Sequence, residues 1–381
     1  MNQSGKTTLT SLPIELLELT TEDLAPADLS SLRLVCKDIS AKCERSWRRK
    51  GFEKIYIMLG LPGSFERALA VTSRKELCSQ VKRIVIWVDQ VRHTKDYRRI
   101  AWVAPPPAPK ESRSVRYAKR SQLKEFNGEK EKFVQNGDGY RQLLKVLQNI
   151  KMFTAHIELA FDNIERALDG SSVNGTPKDY SRLVAEHGQS FEFGRPEKMT
   201  VVWRKVFDAF DTSQVAISGL NLPMHQYRST GLDSYYWIRP LAAARPLMPN
   251  LEHLNLGVCT LWINGGLWEA LVPTILAVAS TLRSFRLTLI CGGGINDLIA
   301  YTIEELVQGF HSPRLETFGL RFAPDAKPGT DILLDFLVRH KDTLQSYTFE
   351  SSEGLEGEAW DRRVKDAGVN ATKMNRRRPF D

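Results

Sequence analysis

The sequence contains few cysteines and no long unbroken apolar run. Five widely spaced cysteines occur among 381 residues, with no Cys-x-x-Cys pair; they are Cys36, Cys43, Cys78, Cys259 and Cys291. This spacing indicates neither a disulfide framework nor a zinc site, and it favours a reducing compartment. The longest apolar stretch, residues 267–279, is interrupted by Glu269 and Pro273 and is too short to span a bilayer. Because no secretion signal is visible either, we expect a cytoplasmic or nuclear protein without a membrane segment.

The sequence also lacks a set of residues typical of an active site. Its seven histidines form no His-x-x-x-His or His-Glu-x-x-His pair, and no Gly-x-Ser-x-Gly elbow occurs. Gly5-Lys6-Thr7 imitates the end of a phosphate-binding loop, but the strand and the first glycine of that loop are missing. Gly292-Gly293-Gly294 is predicted to form a tight turn, because Asp297 stands where the dinucleotide fingerprint requires glycine. We predict a protein without catalysis, cofactor or metal; an enzyme with a diverged phosphate-binding turn is the minor alternative.

The excess of positive charge lies in one segment. The whole chain carries a net charge of +8, and residues 92–132 alone hold 12 basic against 5 acidic residues. This segment includes Pro105-Pro106-Pro107-Ala108-Pro109 and few regular apolar repeats. We predict a solvated, partly disordered basic insertion at about 92–136, with an arm that binds RNA or an anionic partner as the alternative. With 42% hydrophobic residues among 381, the chain as a whole can bury a large core in two or three domains.

The start of the chain predicts a short helix that carries a surplus of apolar side chains. Pro13 suits the first position of a helix, and Glu15 suits the positive end of its dipole. The residues that share one face of this helix are Leu12, Leu16 and Leu19. Leu17 points roughly 100° away from Leu16 and so lies off that face.

A second helix is predicted after Pro26 and Asp28. Its inward-facing stripe is formed by Leu29, Leu32, Val35, Cys36 and Ile39. Leu34 is displaced by roughly 140° from Leu29 and falls outside this stripe. A unit of about 40 residues is marginally stable alone, so we expect apolar side chains off the stripe to pack on a partner protein or on the rest of this chain.

The stretch from Leu12 to Lys37 resembles the F-box family. It begins with Leu-Pro-x-Glu-Leu, continues with Asp28-Leu29, and closes with Leu34-Val35-Cys36-Lys37. The resemblance implies a compact helical domain at residues 10–50, after a flexible N-terminus at 1–9, that binds the Skp adaptor of a cullin-RING ubiquitin ligase. The adaptor contacts that the resemblance implies are Leu12, Pro13, Leu16, Leu17, Leu29, Leu34 and Val35.

One short apolar pattern recurs in the C-terminal half of the chain. The pattern is Leu-x-x-apolar-x-apolar, and its clear copies begin at Leu251, Leu282, Leu315 and Leu344. The alternation within each copy predicts a strand with one buried face, and helices are predicted between copies at 262–280, 296–310 and 331–340. Weaker copies begin at Phe52, Val81 and Ile217, and an irregular unit is expected near residues 156–159.

One strand and one helix in roughly 30 residues is similar to the leucine-rich-repeat family. We therefore predict an α/β fold, in which the N-terminal helical F-box is followed by a degenerate leucine-rich-repeat-like α/β solenoid. The solenoid is expected at residues 52–352 and a polar C-terminal tail at 353–381. Cys259 lies where such repeats often place Asn or Cys. The alternative is an ordinary α/β domain with parallel strands.

In such a solenoid, the residues between the buried ones point outward from the strands to the concave face. The candidates for binding a target protein there are Trp87, His253, Asn255, Arg286, Thr288 and Arg321. The other outward positions are Arg83, Val85, Ser284, Thr317, Ser346, Thr348 and Glu350. Arg286 and Arg321 belong to adjacent repeats and could pair with an acidic or phosphorylated segment.

These features favour a non-catalytic substrate receptor, similar to F-box proteins of fungi. Its F-box would dock the Skp adaptor, and through it the cullin-RING ligase, while the repeat body would hold an unidentified target protein. The alternative is an F-box-bearing scaffold or regulator that acts without the ligase and binds a protein or RNA through the basic insertion. In the leading interpretation, neither nucleic acid nor a membrane is a partner.

Overall fold

The computed structural model describes the N-terminal helices and the body of the chain with several gaps. The described residues are 8–24, 26–58, 62–87, 90–91, 128, 132–133, 135–154, 156–162, 191–192, 196–222, 241–260, 265–291, 296–322, 326, 328–350 and 358–373. The predicted flexible N-terminus at 1–9 and the predicted basic insertion at 92–136 lie mostly outside these residues.

Helices and strands alternate along most of the described chain. The α-helices are α1 (Ile14–Thr20), α2 (Pro26–Arg33), α3 (Lys37–Phe52), α4 (Pro62–Thr72), α5 (Lys75–Cys78), α6 (Asp138–Lys151), α7 (Pro196–Ser213), α8 (Gly265–Leu276), α9 (Asn296–Gly309), α10 (Thr330–Arg339) and α11 (Glu358–Asp366). The strands are β1 (Lys54–Met58), β2 (Arg83–Trp87), β3 (Gln90–Val91), β4 (His156–Asp162), β5 (Phe191–Glu192), β6 (Ala216–Leu222), β7 (His253–Thr260), β8 (Ser284–Cys291), β9 (Thr317–Phe322), β10 (Ser346–Glu350) and β11 (Thr372–Lys373).

The first three helices form a small module with its own core. Leu17, Ile39 and Cys43 are buried together at the centre of this module. Three partly buried side chains, Leu12, Leu32 and Cys36, pack against them. Because this core is small, the module buries only part of the apolar surface that its sequence provides.

Nine strands form a single parallel sheet. Their spatial order is β1-β2-β4-β6-β7-β8-β9-β10-β11, which is also their order along the chain, while β3 and β5 form a separate antiparallel pair. Each long strand therefore adds to the same edge of the sheet, and the order never reverses as it does at the switch point of a doubly wound fold. This architecture is consistent with a leucine-rich-repeat-like solenoid and confirms the predicted α/β class.

Two ladders of apolar side chains run across the sheet. The first ladder follows the strand register through Ile55, Ile84, Leu159, Leu220, Leu254, Phe285, Phe318 and Tyr347. Two residues further along each strand, the second contains Ile57, Ile86, Phe161, Leu222, Leu256, Leu287, Leu320 and Phe349. All these side chains belong to one continuous core. The repeating apolar pattern in the sequence is thus the inward face of neighbouring strands, as period-two alternation requires.

The connecting helices pack on this apolar face. Right-handed crossovers between strands that always add to the same edge place the helices on one side of the sheet. Neighbouring helices contact one another in chain order, as seen for α4 with α6, α6 with α7, α8 with α9, and α9 with α10. The predicted helices at 262–280, 296–310 and 331–340 correspond to α8, α9 and α10. The opposite side of the sheet carries the residues that alternate with the ladders.

Hydroxyl groups tie successive repeats together just before β8 and β9. Thr281 donates a hydrogen bond to the carbonyl oxygen of Leu251 at 2.8 Å, and Ser312 donates to that of Leu282 at 2.5 Å. The two acceptors are the leading leucines of their repeats, and both are buried. These bonds satisfy buried carbonyls that the strand ladder does not reach, so they hold the repeats in register.

The C-terminal region forms one further unit of the solenoid. Helix α11 buries Trp360 and Val364 in the main core, and β11 pairs with β10. Lys373 of β11 also lies 2.9 Å from Asp361 of α11. The prediction of a polar tail from residue 353 is therefore corrected for 358–373, where a few apolar residues in a polar sequence suffice to cover the last ladder.

A buried histidine links the last two of the clear repeats. Nδ1 of His340 donates to the carbonyl oxygen of Phe336 at 3.0 Å, and Nε2 accepts from the backbone N–H of Ser312 at 3.3 Å. Burial lowers the pKa of His340, and the bond to Phe336 opposes this effect. The neutral form is required, because a protonated Nε2 has no lone pair for the N–H of Ser312.

We expect His340 to make the stability of the solenoid sensitive to pH. His340 takes up a proton at a higher pH in the unfolded chain than in the folded chain. Its contribution to the free energy of unfolding is therefore fully present above about pH 6.5 and is lost as the pH falls below that value. The His340→Gln variant should lose about 1–3 kcal/mol of unfolding free energy at neutral pH. Its unfolding free energy should also change less with pH than that of the wild type. Urea unfolding at a series of pH values measures both effects, with exposed His253→Gln as the control. If both variants keep the wild-type pH dependence, His340 is not the responsible group.

Candidate partner-binding surfaces

Exposed apolar side chains are concentrated in the N-terminal module. Eight large apolar residues are exposed in the part of the chain that the structure describes, and six of them belong to this module. These six are Leu9, Ile14, Leu16, Leu19, Leu34 and Val35. Exposed apolar surface that is concentrated in one small unit is typical of a protein interaction site, whereas scattered single residues need no explanation.

Leu34 and Val35 are the two most prominent members of this set. They lie in the short connection between α2 and α3, where their exposed fractions are 87% and 67%. The backbone N–H of Leu34 donates to Ser31 at 3.1 Å, and that of Val35 donates to Leu32 at 3.2 Å. The prediction that Val35 belongs to an inward stripe was wrong, because α2 ends at Arg33 and the helical spacing does not continue beyond it.

The connection that carries this pair is fixed by Arg33. The guanidinium group of Arg33 forms an ion pair with Glu44 and lies 3.8 Å from the ring centre of Trp47. Nε1 of Trp47 in turn donates to Ser30 at 3.1 Å. Helices α2 and α3 are thereby tied together directly beside Leu34, so the exposed pair is presented on a rigid base.

Two lysines of α3 hold α1 at both of its ends. Nζ of Lys42 donates to the carbonyl oxygens of Thr10 and Leu12, at 2.6 and 3.1 Å. Lys50 donates to the carbonyls of the turn after α1, including that of Leu24 at 2.9 Å. Positive charge beside free carbonyls at a helix C-terminus is stabilising. These bonds keep the short α1 in place although its own core contribution is small.

The predicted adaptor contacts divide into exposed and buried residues. Pro13, Leu16, Leu34 and Val35 are exposed, and Leu12 is partly buried against the module core. Leu17 and Leu29 are both buried, at 1% and 0% exposure. These two lie inside the protein, so the predicted contact set is corrected: they support the surface from within. The face of α1 that carries Leu16 and Leu19 points outward, and Leu17 points inward.

The N-terminal module joins the solenoid without a linker. Helix α3 ends at Phe52, which packs against the main core, and β1 begins two residues later. The carbonyl oxygen of Glu53 accepts bonds from the backbone N–H groups of Lys82 and Arg83, at 2.9 and 3.0 Å. The ring of Trp47 also meets that of Phe52 edge-on, with centres 5.0 Å apart. Any partner of the module is therefore held close to the solenoid.

The side of the sheet opposite the helices carries most of the residues predicted for target binding; we call it the polar face. His253 and Arg321 are exposed there, and Asn255, Arg286 and Thr288 are partly exposed. Trp87 lies in β2, and the description of this residue covers its backbone only. Two predicted outward positions, Val85 and Thr348, are buried; the prediction that they face a ligand is corrected.

Arginine–glutamate pairs recur between neighbouring strands of this face. Arg83 pairs with Glu158 and Arg321 with Glu350, and a further pair, Arg283 with Glu316, lies just before β8 and β9. In addition, the side-chain amide of Asn255 donates to that of Asn221 at 2.9 Å. The sequence predicted that Arg83, Arg321 and Glu350 point outward, but it did not predict the pairs, since partners such as Arg83 and Glu158 lie far apart in sequence and meet only through the strand register.

Metal-ligating side chains do not cluster in the residues that the structure describes. These residues contain no group of three His, Cys, Asp or Glu side chains that could hold a metal ion. Burial raises the pKa of the Cys78 thiol to about 11, so this cysteine is not a reactive thiolate at neutral pH. Within the same residues, no helix combines the length and the apolar character needed to cross a membrane.

Comparisons with known proteins do not assign this chain to a family. No model of a protein family matches the sequence, and no curated protein does so either. The chain is thus characterised by its architecture, an α/β protein with N-terminal helices and a nine-stranded parallel sheet that alternates with helices. Its two candidate surfaces are the exposed apolar side chains of the N-terminal module and the polar face of the solenoid.

Proposed function

We propose that this protein is the substrate-recognition subunit of a Skp-cullin-F-box type ubiquitin ligase. The N-terminal module docks the Skp adaptor, and the solenoid holds a target protein. The observation that carries the proposal is the exposure of Leu34 and Val35 on a module whose small core is formed by other residues. Those two residues belong to the stretch of sequence that resembles the F-box motif.

The exposed pair is suited to an energetic centre of an interface. Burial of an apolar side chain of this size contributes about 1.5–3 kcal/mol, and neither residue gains this energy within the described chain. The rigid base formed by Arg33, Glu44 and Trp47 lowers the ordering cost of binding. Pro13 and Leu16 add further exposed surface from α1. A small, preorganised apolar surface of this kind fits a protein partner.

The direct junction between module and solenoid supports a receptor with two ends. The adaptor would bind at one end, and the target would bind along the polar face. Transfer of ubiquitin would then belong to the other subunits of the ligase, so the chain itself needs neither a catalytic residue nor a cofactor. Helix α3, which enters both units, would fix the position of the target relative to the adaptor.

Co-expression with the Skp adaptor tests this proposal. We expect the full chain and the adaptor to elute together from gel filtration in equal amounts, and to recruit the cullin scaffold when it is added. Elution of the chain alone would contradict the proposal. A complex with the adaptor that excludes the cullin would instead support a scaffold that acts without the ligase.

A further inference from the structure

The centre of the polar face between β7 and β10 is lined by small and neutral side chains around two arginines. In the strand register, Asn255, Arg286, Gly319 and Thr348 form one row, and Gly257, Thr288, Arg321 and Glu350 form the next. The row before them contains His253, Ser284, Thr317 and Ser346. The charged members of these rows are two arginines and one glutamate, which sum to a net charge of +1 when His253 is neutral.

Arg286 is placed by the glycine beside it. A Cβ atom at position 319 would lie 3.1 Å from Cγ of Arg286, so the side chain of the arginine rests against the backbone of Gly319. Burial lowers the pKa of Arg286, and the negative charge of Glu350 opposes this effect. Arg286 is therefore a partly desolvated charge, for which an additional anion is more favourable than for a charge in open water.

Arg321 is the more exposed of the two arginines. Its Nε lies 3.4 Å from a carboxylate oxygen of Glu350, and its side chain is 49% exposed whereas that of Glu350 is 17% exposed. The carboxylate is thus covered and the guanidinium is open to solvent. Because a guanidinium group has five N–H donors, one contact with Glu350 leaves Arg321 able to bind a second oxyanion.

We propose that Arg286 and Arg321 bind an acidic segment of the target protein, in which carboxylate or phosphate groups supply the charge. This inference rests on the proposed function, since it names the class of target that the solenoid would receive. The net positive charge favours an anionic occupant. Gly257 carries no side chain and is partly exposed, so an extended segment can approach the sheet closely there. Hydroxyl groups of Thr288 and Thr317 supply neutral hydrogen-bonding positions on either side.

Fluorescence anisotropy with defined peptides tests the inference on the full chain. The labelled probes are hexaglutamate, a matched peptide with phosphoserine in place of glutamate, neutral hexaglutamine, and oligouridine. We expect at least one acidic peptide to bind and hexaglutamine not to bind. The Arg286→Gln/Arg321→Gln variant should lose about 10–100-fold in affinity for that peptide. Arg363→Gln is the matched control, because Arg363 pairs with Asp331 on the helical side, and it should change affinity less than about twofold.

Each outcome has a definite meaning. A stronger response to phosphoserine or to glutamate identifies the anionic group, and either result supports the proposal. Equal binding by wild type and double variant, or no binding of either acidic peptide, would overturn it. Tighter, arginine-dependent binding of oligouridine would also overturn it in favour of nucleic acid. The single variant Arg321→Gln, at an exposed position, keeps the test valid if the double variant unfolds.

Failure here is distinguishable from failure of the proposed function. The peptide measurements use the chain without the adaptor, and the adaptor measurements use the module at the other end. We expect the arginine variants to bind the Skp adaptor with wild-type affinity. Loss of peptide binding with retained adaptor binding would overturn only the acidic-target inference.

Discussion

Replacement of Leu34 and Val35 by aspartate is expected to weaken binding to the Skp adaptor by at least about 100-fold, because two central apolar contacts are replaced by charges that must be desolvated. Both side chains are exposed in the free chain, so their replacement should change the stability of the folded state little. The melting temperature should therefore stay close to that of the wild type. Isothermal titration calorimetry with the purified adaptor measures the affinity, and circular dichroism measures the thermal unfolding.

The matched control for this variant is Met152→Asp. Met152 is 70% exposed and follows α6 in the solenoid, so it offers a similar apolar surface outside the module. We expect its adaptor affinity to equal that of the wild type. If the Leu34/Val35 variant binds as tightly as Met152→Asp, the connection between α2 and α3 is not the docking site.

Replacement of Phe318 by alanine is expected to cost about 3–5 kcal/mol of unfolding free energy, the range for a fully buried phenylalanine. Phe318 lies at the centre of an aromatic cluster in the apolar face of the solenoid. Its ring centre is 4.1 Å from that of Phe336, 5.7 Å from Phe285 and 5.9 Å from Phe310. These rings come from two strands, a helix and the residue after another helix, so the cavity would weaken several repeats at once. Urea unfolding, followed by fluorescence and circular dichroism, measures the loss.

Tyr301→Ala provides the control for the aromatic cluster. Tyr301 lies on α9 near these residues in sequence, but its side chain is 64% exposed. Its removal should change the unfolding free energy by less than about 0.5 kcal/mol. If Phe318→Ala lowers the unfolding free energy as little as Tyr301→Ala does, the repeats do not share one continuous core.

The solenoid could be predicted from the sequence because its signal is repeated. Leucines such as Leu251 and Leu282 begin copies whose next apolar residues fall at fixed offsets, and each copy became a strand in the same register. A single strand with this alternation would be ambiguous, but several copies about 30 residues apart can bury their faces only against each other. The irregular unit expected near residues 156–159 is β4.

The faces of the N-terminal helices could not be predicted from spacing alone. Helix α1 has only seven residues and carries leucines on two faces, so Leu16 and Leu17 compete for the same small core. Contacts with α3, where Ile39 and Cys43 lie, decide in favour of Leu17. Periodicity identifies an amphipathic helix over several turns, but a helix of two turns contains too few positions to determine its inner face.

The last repeat was missed because its composition is polar. Only Trp360, Val364 and Val369 are buried between residues 358 and 373, among many charged residues. The spacing of four between Trp360 and Val364 is a helical signal, yet it is too short to stand out. A terminal repeat has one face toward solvent, so a solenoid requires fewer apolar residues there than in its interior.

The charged pairs of the polar face depend on register between strands. Arg321 and Glu350 are 29 residues apart and meet because they are paired positions of β9 and β10. The sequence predicts that both point outward, but it does not give the register that brings them together. The same holds for Arg286 and Gly319, whose contact requires the alignment of β8 with β9.

Hydrogen–deuterium exchange of the full chain, with and without the Skp adaptor, tests the central claim most directly. Adaptor binding should slow amide exchange in residues 12–37, above all in the connection that carries Leu34 and Val35. Exchange in the strands from β6 to β10 should stay unchanged. Protection confined to the solenoid, or no protection anywhere at saturating adaptor, would contradict the assignment of the N-terminal module as the adaptor-docking end of this protein.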